Sequence, residues 1–134
     1  MAAELTGKVR KALEEPQFWH LATLNLDGSP QATTVWLDVR GDRILVNSAL
    51  GRKKPRNLAN DPRVALSWSN PENHQHSISI QGRVVESYEG DRAEADIDAL
   101  AKKYVGVDTY PWRSEGERRV SYLIEPTHVW HLDR

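Results

Sequence analysis

The opening of the chain shows a helical pattern of apolar residues. Pro16 ends this pattern, and a proline at such a point is a typical helix stop. We therefore predict one amphipathic helix over residues 4–15. Its apolar positions recur every three or four residues: Leu5, Val9, Ala12 and Leu13.

The segment after this helix has the composition of β-strands. It is rich in Trp, Leu, Val and Thr, and an Asp-Gly pair at 27–28 and an Arg-Gly-Asp triplet at 40–42 divide it as turns. This pattern predicts a three-stranded meander over residues 19–25, 31–39 and 43–48.

The middle of the chain combines a short helix with two further strands. The helix is predicted over residues 55–60, because the first turn of a helix tolerates a proline such as Pro55. The strands are predicted over residues 63–69 and 77–88, with a polar loop at 70–76 between them. Gly82 indicates a bulge or a close approach of another backbone.

The last part of the chain contains one more helix and one more strand. Apolar residues at helical spacing predict a helix over residues 91–105, and Gly106 provides its C-terminal signal. The final strand is predicted over residues 120–132, with a break at Pro126.

These elements predict a mainly β fold of the α+β class. Six strands with closely spaced turns and few helices favour a six-stranded antiparallel barrel with short flanking helices. A Rossmann sheet is disfavoured, because strands and long helices do not alternate and no Gly-rich phosphate fingerprint is present. A length of 134 residues suits a single domain over residues 1–134.

Composition and charge narrow the possible functions. The chain has no cysteine, which excludes disulfides, thiolate zinc sites and thiol catalysis, so redox chemistry would need a cofactor. A formal net charge of -1 argues against a surface built for nucleic acid or anionic lipid. No apolar run reaches the roughly 18 residues of a membrane span, and we expect a cytoplasmic protein.

One strongly basic segment contrasts with this balanced charge. It follows a predicted strand and precedes a predicted helix, so its cations and the free N–H groups of the helix can converge on one phosphate. A solvated surface loop is the alternative interpretation. The basic residues are Arg52, Lys53, Lys54 and Arg56, and Asn47 and Ser48 at the strand end would add neutral donors.

Three segments carry a resemblance to a known family. They read ATLNLDGSPQATTVW, ILVNSALGRKKPRNLANDPRVAL and ISIQGRVVE. The chain resembles the split-barrel flavin and deazaflavin oxidoreductases, which include pyridoxamine 5′-phosphate oxidase, and is most similar to the branch that uses coenzyme F420. The most specific part is the basic-x-Lys-x-Arg-Asn-Leu run followed by Asp-Pro-Arg-Val. The resemblance covers nearly the whole chain and implies the FMN-binding split barrel.

The resemblance also implies a cofactor site between two protomers of a homodimer. The basic segment would bind the cofactor phosphate through Arg52, Lys54 and Arg56, and Lys53 would meet the acidic oligoglutamate tail of F420. The second strand would lie along the cofactor ring through Thr33, Thr34, Val35 and Trp36. Candidates for completing the site from the partner copy are, by position, His76, Gln81 and Trp112.

The implied function is that of an F420-dependent oxidoreductase acting on a conjugated small-molecule acceptor of the enone or quinone type. We assign no catalytic residue, because hydride transfer depends mainly on holding cofactor and acceptor in contact. FMN is the alternative cofactor. The second strand has no basic residue before Arg40, and the chain ends in HVWHLDR. FMN-dependent pyridoxamine phosphate oxidases carry basic residues in that strand and an Arg-Leu-His type ending. Both differences argue against vitamin B6 chemistry and weaken the case for FMN.

Other classes of function remain open at this stage. The barrel can carry or sense a flavin, a deazaflavin or haem without turnover. A nucleic-acid-binding barrel is less well supported, because one local basic run does not cover several phosphates. His74 and His76 have the spacing of metal ligands on a strand, but they lie in a predicted polar loop with no matching carboxylate, and we expect no metal.

Overall fold

The fold is a single curled sheet with three helices. The computed structural model describes residues 2–134. In chain order the elements are α1 (Gly7–Glu14), β1 (Trp19–Leu24), β2 (Pro30–Val35), β3 (Leu37–Arg40), β4 (Arg43–Ala49), α2 (Lys53–Asn60), β5 (Arg63–Asn70), β6 (Asn73–Glu89), α3 (Asp91–Val105) and β7 (Arg119–Asp133).

All the strands pair antiparallel, in the order β2-β1-β5-β6-β7-β4-β3. The two longest strands, β6 and β7, occupy the middle of this order and pair along most of their length. The mainly β, antiparallel class predicted from the sequence is therefore confirmed.

The two edges of the sheet meet at Trp36. Strands β2 and β3 lie at opposite ends of the strand order, yet only this residue separates Val35 from Leu37. The sheet has to curl until its edges are adjacent, which produces the barrel. The sequence predicted one continuous strand over residues 31–39 and six strands in all. The structure has seven strands, because the chain changes its pairing partner here.

Helix α3 supplies the hydrogen bonds that this crossing point needs. The Tyr104 hydroxyl accepts a hydrogen bond from Leu37 N at 3.3 Å and donates to Gln17 O at 2.7 Å. Lys103 Nζ donates to Leu37 O and to Leu13 O, both at 2.7 Å. Burial raises the pKa of Tyr104 to about 12, so its hydroxyl stays protonated at physiological pH. The crossing is thereby fastened to α1 and α3.

The core fills the interior of the barrel with alternate residues of the strands. Trp19 is fully buried; its indole N–H donates to Ala12 O at 3.2 Å and its ring stacks on Trp68. Val9 and Leu13 of α1 close one end of this core. Other core members are Leu21, Leu37, Ile44, Leu66, Ile78, Ile80 and Ile124.

Gly82 lies where β7 approaches β6 closely. A Cβ atom at this position would be 2.6 Å from Glu125 O, which no side chain could tolerate without movement of the backbone. The pairing register shifts between Gln81 and Gly82, opposite Pro126. The predicted bulge or close approach is confirmed. The predicted break at Pro126 is wrong, because a shift in register absorbs the proline and β7 continues through it.

The ends of three other elements differ from their prediction. Helix α1 begins at Gly7, and helix α2 begins at Lys53 rather than Pro55, so two lysines lie inside its first turn. Residues 73–76 belong to β6, whereas the sequence predicted a loop. Cross-strand pairing with β5 and β7 outweighs the polar composition of this segment.

Within residues 2–134, none of the three helices has both the length and the apolar character that crossing a membrane would require.

The crossing point gives a direct test of the fold. Tyr104→Phe removes one hydroxyl and leaves the N–H of Leu37 and the carbonyl of Gln17 without this partner. We expect the free energy of unfolding to fall by about 1–3 kcal/mol, measured by urea denaturation. Tyr110→Phe is the matched control, because the interactions of Tyr110 are made by its ring and its backbone N–H and remain when the hydroxyl is removed. Equal losses in both variants would contradict the role given to Tyr104.

Candidate functional site

A cavity of about 240 Å³ opens beside Trp36, where β2 and β4 end and α2 begins. Helix α3 and the loop before β7 form its other walls. Eight of the residues predicted for the cofactor site line it: Thr34, Val35, Trp36, Asn47, Ser48, Arg52, Lys54 and Trp112. The cavity is also lined by four residues that the sequence did not single out: Ile97, Leu100, Tyr110 and Arg119.

Lys54 carries one positive charge into this cavity. Its Nζ donates to Thr33 Oγ1 at 2.9 Å, which places the ammonium group beside the end of β2. Burial lowers the pKa of Lys54, and the nearby charges of Arg52 and Arg119 lower it further. A bound anion would offset the repulsion of Lys54 by the charges of Arg52 and Arg119, so the site favours a negatively charged ligand.

Arg119 is the most buried cation at the site and was missed by the sequence analysis. Its side chain is 3% exposed, and its Nε donates to Asn47 Oδ1 at 2.9 Å. Glu117 Oε2 lies 3.4 Å from Arg119 Nη1, and Glu117 Oε1 lies 3.2 Å from Arg52 Nη2. One carboxylate therefore lies between two arginines, and Lys54 adds a third positive charge. Arg119 pairs with Ala49 of β4 across the sheet. This register brings Arg119 to the cavity, and only the folded sheet reveals it.

Several polar groups around the cavity lack hydrogen-bond partners. The Ser48 hydroxyl is buried and unpartnered within the described chain, and the Arg119–Glu117 contact does not have hydrogen-bond geometry. Among residues 2–134, no side chain caps the start of α2, where Arg52 is the N-cap. Uncapped N–H groups at a helix start, a free hydroxyl and an excess of cations are the features of a phosphate site. The residues present thus fit a phosphate-bearing ligand.

Buried Asn57 holds α2 in place at this site. Its amide donates to Thr23 Oγ1 at 3.0 Å and to Asn25 Oδ1 at 3.2 Å, both at the end of β1. Leu58, one turn beyond Lys54, packs into the core. These contacts fix the orientation of the helix and therefore the direction in which Lys54 points.

Aromatic side chains form another part of the cavity wall. Trp36 stacks on Tyr104 with ring centroids 5.4 Å apart and an angle of 11° between the planes. Tyr110 meets Trp36 edge-on, and Trp112 lies 6.4 Å from Trp36. Trp112 is 59% exposed, so it stands at the rim. The cavity therefore combines anion-binding groups with aromatic side chains, which suits a ligand that carries both a phosphate and a ring system.

The remaining two basic residues face a different groove. Lys53 and Arg56 line a space of about 290 Å³ together with Leu26 and Asp27. The separation follows from the helix: residues three apart share one face, and Lys54 points to another. Arg56 therefore does not lie with Arg52 and Lys54, although the sequence analysis grouped all three around one phosphate.

His76 and Gln81 lie away from the cavity of their own chain. Gln81 lines an apolar groove of about 430 Å³ on the outside of the sheet, beside His128. His76 contacts His131 near the ends of β6 and β7. Both had been assigned to the site of a partner copy, and that assignment stays a prediction. Trp112, assigned in the same way, lines the cavity of its own chain.

Comparison with known proteins gives the family. The family model described as pyridoxamine 5′-phosphate oxidase matches residues 5–133. The structure of an F420 reductase is 30% identical over 90% of this chain and 94% of its own, with a TM-score of 0.80. A conserved hypothetical protein from Mycobacterium tuberculosis is 20% identical over 98% of this chain and 86% of its own, with a TM-score of 0.74.

Similarity in fold extends to more distant proteins. An FMN-binding protein from Syntrophomonas wolfei is 10% identical over 87% of this chain and 77% of its own, with a TM-score of 0.63. The curated proteins gave no match.

The family match spans nearly all of the described residues, and the site in the barrel suits a cofactor of the flavin type. The chain belongs to the pyridoxamine 5′-phosphate oxidase family of split-barrel oxidoreductases.

Proposed function

We propose that this protein is an F420-dependent oxidoreductase that transfers a hydride between the deazaflavin cofactor and a conjugated small-molecule acceptor of the enone or quinone type. The observation that carries the proposal is the cavity in which Arg52, Lys54 and Arg119 face an aromatic wall. The 30% identity to a protein named as an F420 reductase supports the choice of cofactor.

The cavity supplies the groups that a phosphate-bearing cofactor needs. Arg52, Lys54 and the N–H groups at the start of α2 would hold the phosphate, and the free hydroxyl of Ser48 would add a donor. Thr34 to Trp36, at the end of β2, would hold the ring, largely through backbone groups. The bound deazaflavin supplies the hydride from its ring carbon.

The contribution of the chain itself is to bind, orient and exclude water. The aromatic wall of Trp36, Tyr110 and Trp112 offers apolar ring surface that would hold a conjugated acceptor near contact distance, about 3–3.5 Å between reacting atoms. We assign no catalytic acid. Tyr104 does not serve as one, since its hydroxyl is bonded to the backbone of Leu37 and Gln17.

The groove of Lys53 and Arg56 adds an argument for F420 over FMN. F420 carries an acidic oligoglutamate tail, whereas FMN ends at its phosphate. The groove lies on the other face of α2 from Lys54 and presents two cations beyond those at the cavity. We assign it to the tail.

Two alternatives have specific support. FMN would also meet the phosphate requirements of the cavity, and an FMN-binding protein shares the fold. A protein that carries a flavin, a deazaflavin or haem without turnover would use the same cavity, because residues that bind a cofactor can do so without any reaction taking place. Turnover and cofactor preference separate these alternatives from the main proposal.

We also propose that the protein is a homodimer whose cofactor sites lie between protomers. The apolar groove beside Gln81 and His128 offers a surface for the second copy, and Trp130 stacks on His128 there while 52% exposed. Exposed tryptophan at the edge of an apolar groove is typical of interface residues.

Paired charge removals test the cofactor site. The double variant Arg52→Ala/Lys54→Ala should weaken binding of both FMN and F420 at least about 100-fold, because each charged hydrogen bond contributes about 1.5–3 kcal/mol. Binding is measured by the quenching of tryptophan fluorescence, since Trp36 and Trp112 line the cavity.

The matched control removes two charges from the same helix. Lys53→Ala/Arg56→Ala should leave FMN affinity unchanged and lower F420 affinity about two- to tenfold. The loss should be larger for F420 with a longer glutamate tail. Equal losses in the two double variants would contradict the division of the basic segment into a phosphate site and a tail groove.

Turnover tests the proposed reaction. Reduced F420 should be oxidised in many turnovers when flat enones and quinones are supplied, as followed by the absorbance of the deazaflavin. Trp112→Ala should raise KM for the acceptor with a smaller effect on cofactor affinity, because Trp112 lies at the rim of the cavity. Binding of F420 without turnover on any acceptor of a broad panel would favour the carrier.

Light scattering tests the homodimer. The particle should have about twice the 15.2 kDa mass of one chain. Gln81→Ala should weaken cofactor binding without altering the unfolding free energy, because Gln81 would act on the partner's site. A monomeric particle that binds cofactor with full affinity would rule out a shared site.

A further inference from the structure

Two histidines and an aspartate meet where β6 begins and β7 ends, well away from the cavity described above. His131 and Asp133 are two residues apart on β7, so their side chains lie on the same face of the sheet. His76 pairs directly with Asp133 across the two strands. The sheet therefore brings one residue of β6 and two of β7 together on one surface.

The ligand atoms of this cluster are close enough to bind one ion. One ligand atom from each residue can be chosen so that all three lie within 4.8 Å of one another, and the Nε2 atoms of His76 and His131 are 3.0 Å apart. Two imidazoles on a tetrahedral zinc ion, with bonds of about 2.0–2.1 Å, have their nitrogens about 3.3 Å apart. A small outward turn of one ring is enough to admit the ion.

We propose that His76, His131 and Asp133 form a binding site for a divalent transition-metal ion of the Zn²⁺ class. Two imidazoles and one carboxylate are ligands of the kind that zinc accepts, and His131 and Asp133 are exposed to solvent, which leaves a position for water. The sequence analysis expected no metal, because it placed His76 in a loop with His74 and did not foresee its contact with β7.

Two neighbours oppose the ion in the metal-free protein. Lys8 of α1 forms an ion pair with Asp133 and would have to leave this carboxylate. The Asn70 amide lies 3.3 Å from His76 Nδ1. Metal binding through Nε2 puts the ring proton on Nδ1, so the Asn70 side chain has to present its oxygen there. Both adjustments involve residues at the surface or beside a turn.

Calorimetric titration of the tag-free protein with Zn²⁺ tests the site. We expect one ion per chain and an affinity at least about tenfold weaker in His131→Ala, whose exposed side chain can be removed without disturbing the core. His128→Ala is the matched control, because His128 lies on the opposite face of β7 and should leave binding unchanged.

Two further variants should bind the ion more tightly. Lys8→Met removes the competing cation from Asp133. Asn70→Asp gives His76 a carboxylate partner that supports the proton on Nδ1, an arrangement common behind metal-bound histidines. Zn²⁺ should also raise the melting temperature of the wild-type protein and not that of a His76→Ala/His131→Ala variant.

Several outcomes would overturn the proposal. These are equal Zn²⁺ affinity in the wild-type protein and the His76→Ala/His131→Ala variant, or no saturation of the wild-type protein by millimolar Zn²⁺. Unchanged affinity in Lys8→Met would overturn the three-ligand assignment. Nitrogen chemical shifts of the His76 and His131 rings give a readout independent of affinity, because only the ligating nitrogens should move on addition of Zn²⁺.

Discussion

The crossing of the chain at Trp36 is the constraint on which the rest of the structure depends. One residue connects the two edges of the sheet, so the sheet closes on itself and the edge strands cannot extend further. The Leu37 backbone at this point is satisfied by Tyr104 and Lys103 of α3. The same closure turns the Trp36 ring toward the cavity and places the end of β2 beside the start of α2.

The electrostatics of the cavity follow from this arrangement. Three cations come from two separate elements: Arg52 at the start of α2, Lys54 within it and Arg119 at the start of β7. The Glu117 carboxylate partly neutralises the charges of Arg52 and Arg119. Burial and these cationic neighbours lower the pKa of Lys54. Such a site is stabilised by an anion, since the protein alone does not neutralise it.

Helix α2 also explains how one basic segment divides between two separate spaces. Its helical twist points Lys54 into the cavity and presents Lys53 and Arg56 to the neighbouring groove. Asn57 fixes the rotation of the helix through β1, which makes this division a property of the folded protein.

The sequence by itself determined the class of fold and the order of the elements, because period-two patterns and turn residues are local signals, whereas the residues expected along the cofactor ring came from the resemblance to a known family. Arg52 and Lys54 were found because they belong to the basic run, and Ser48 was found because it precedes that run in the chain. Arg119 and the contact of His76 with His131 and Asp133 were decided only by the tertiary structure. They depend on strand register between distant segments, which the pairing of β7 with β4 and β6 sets and which no local pattern encodes.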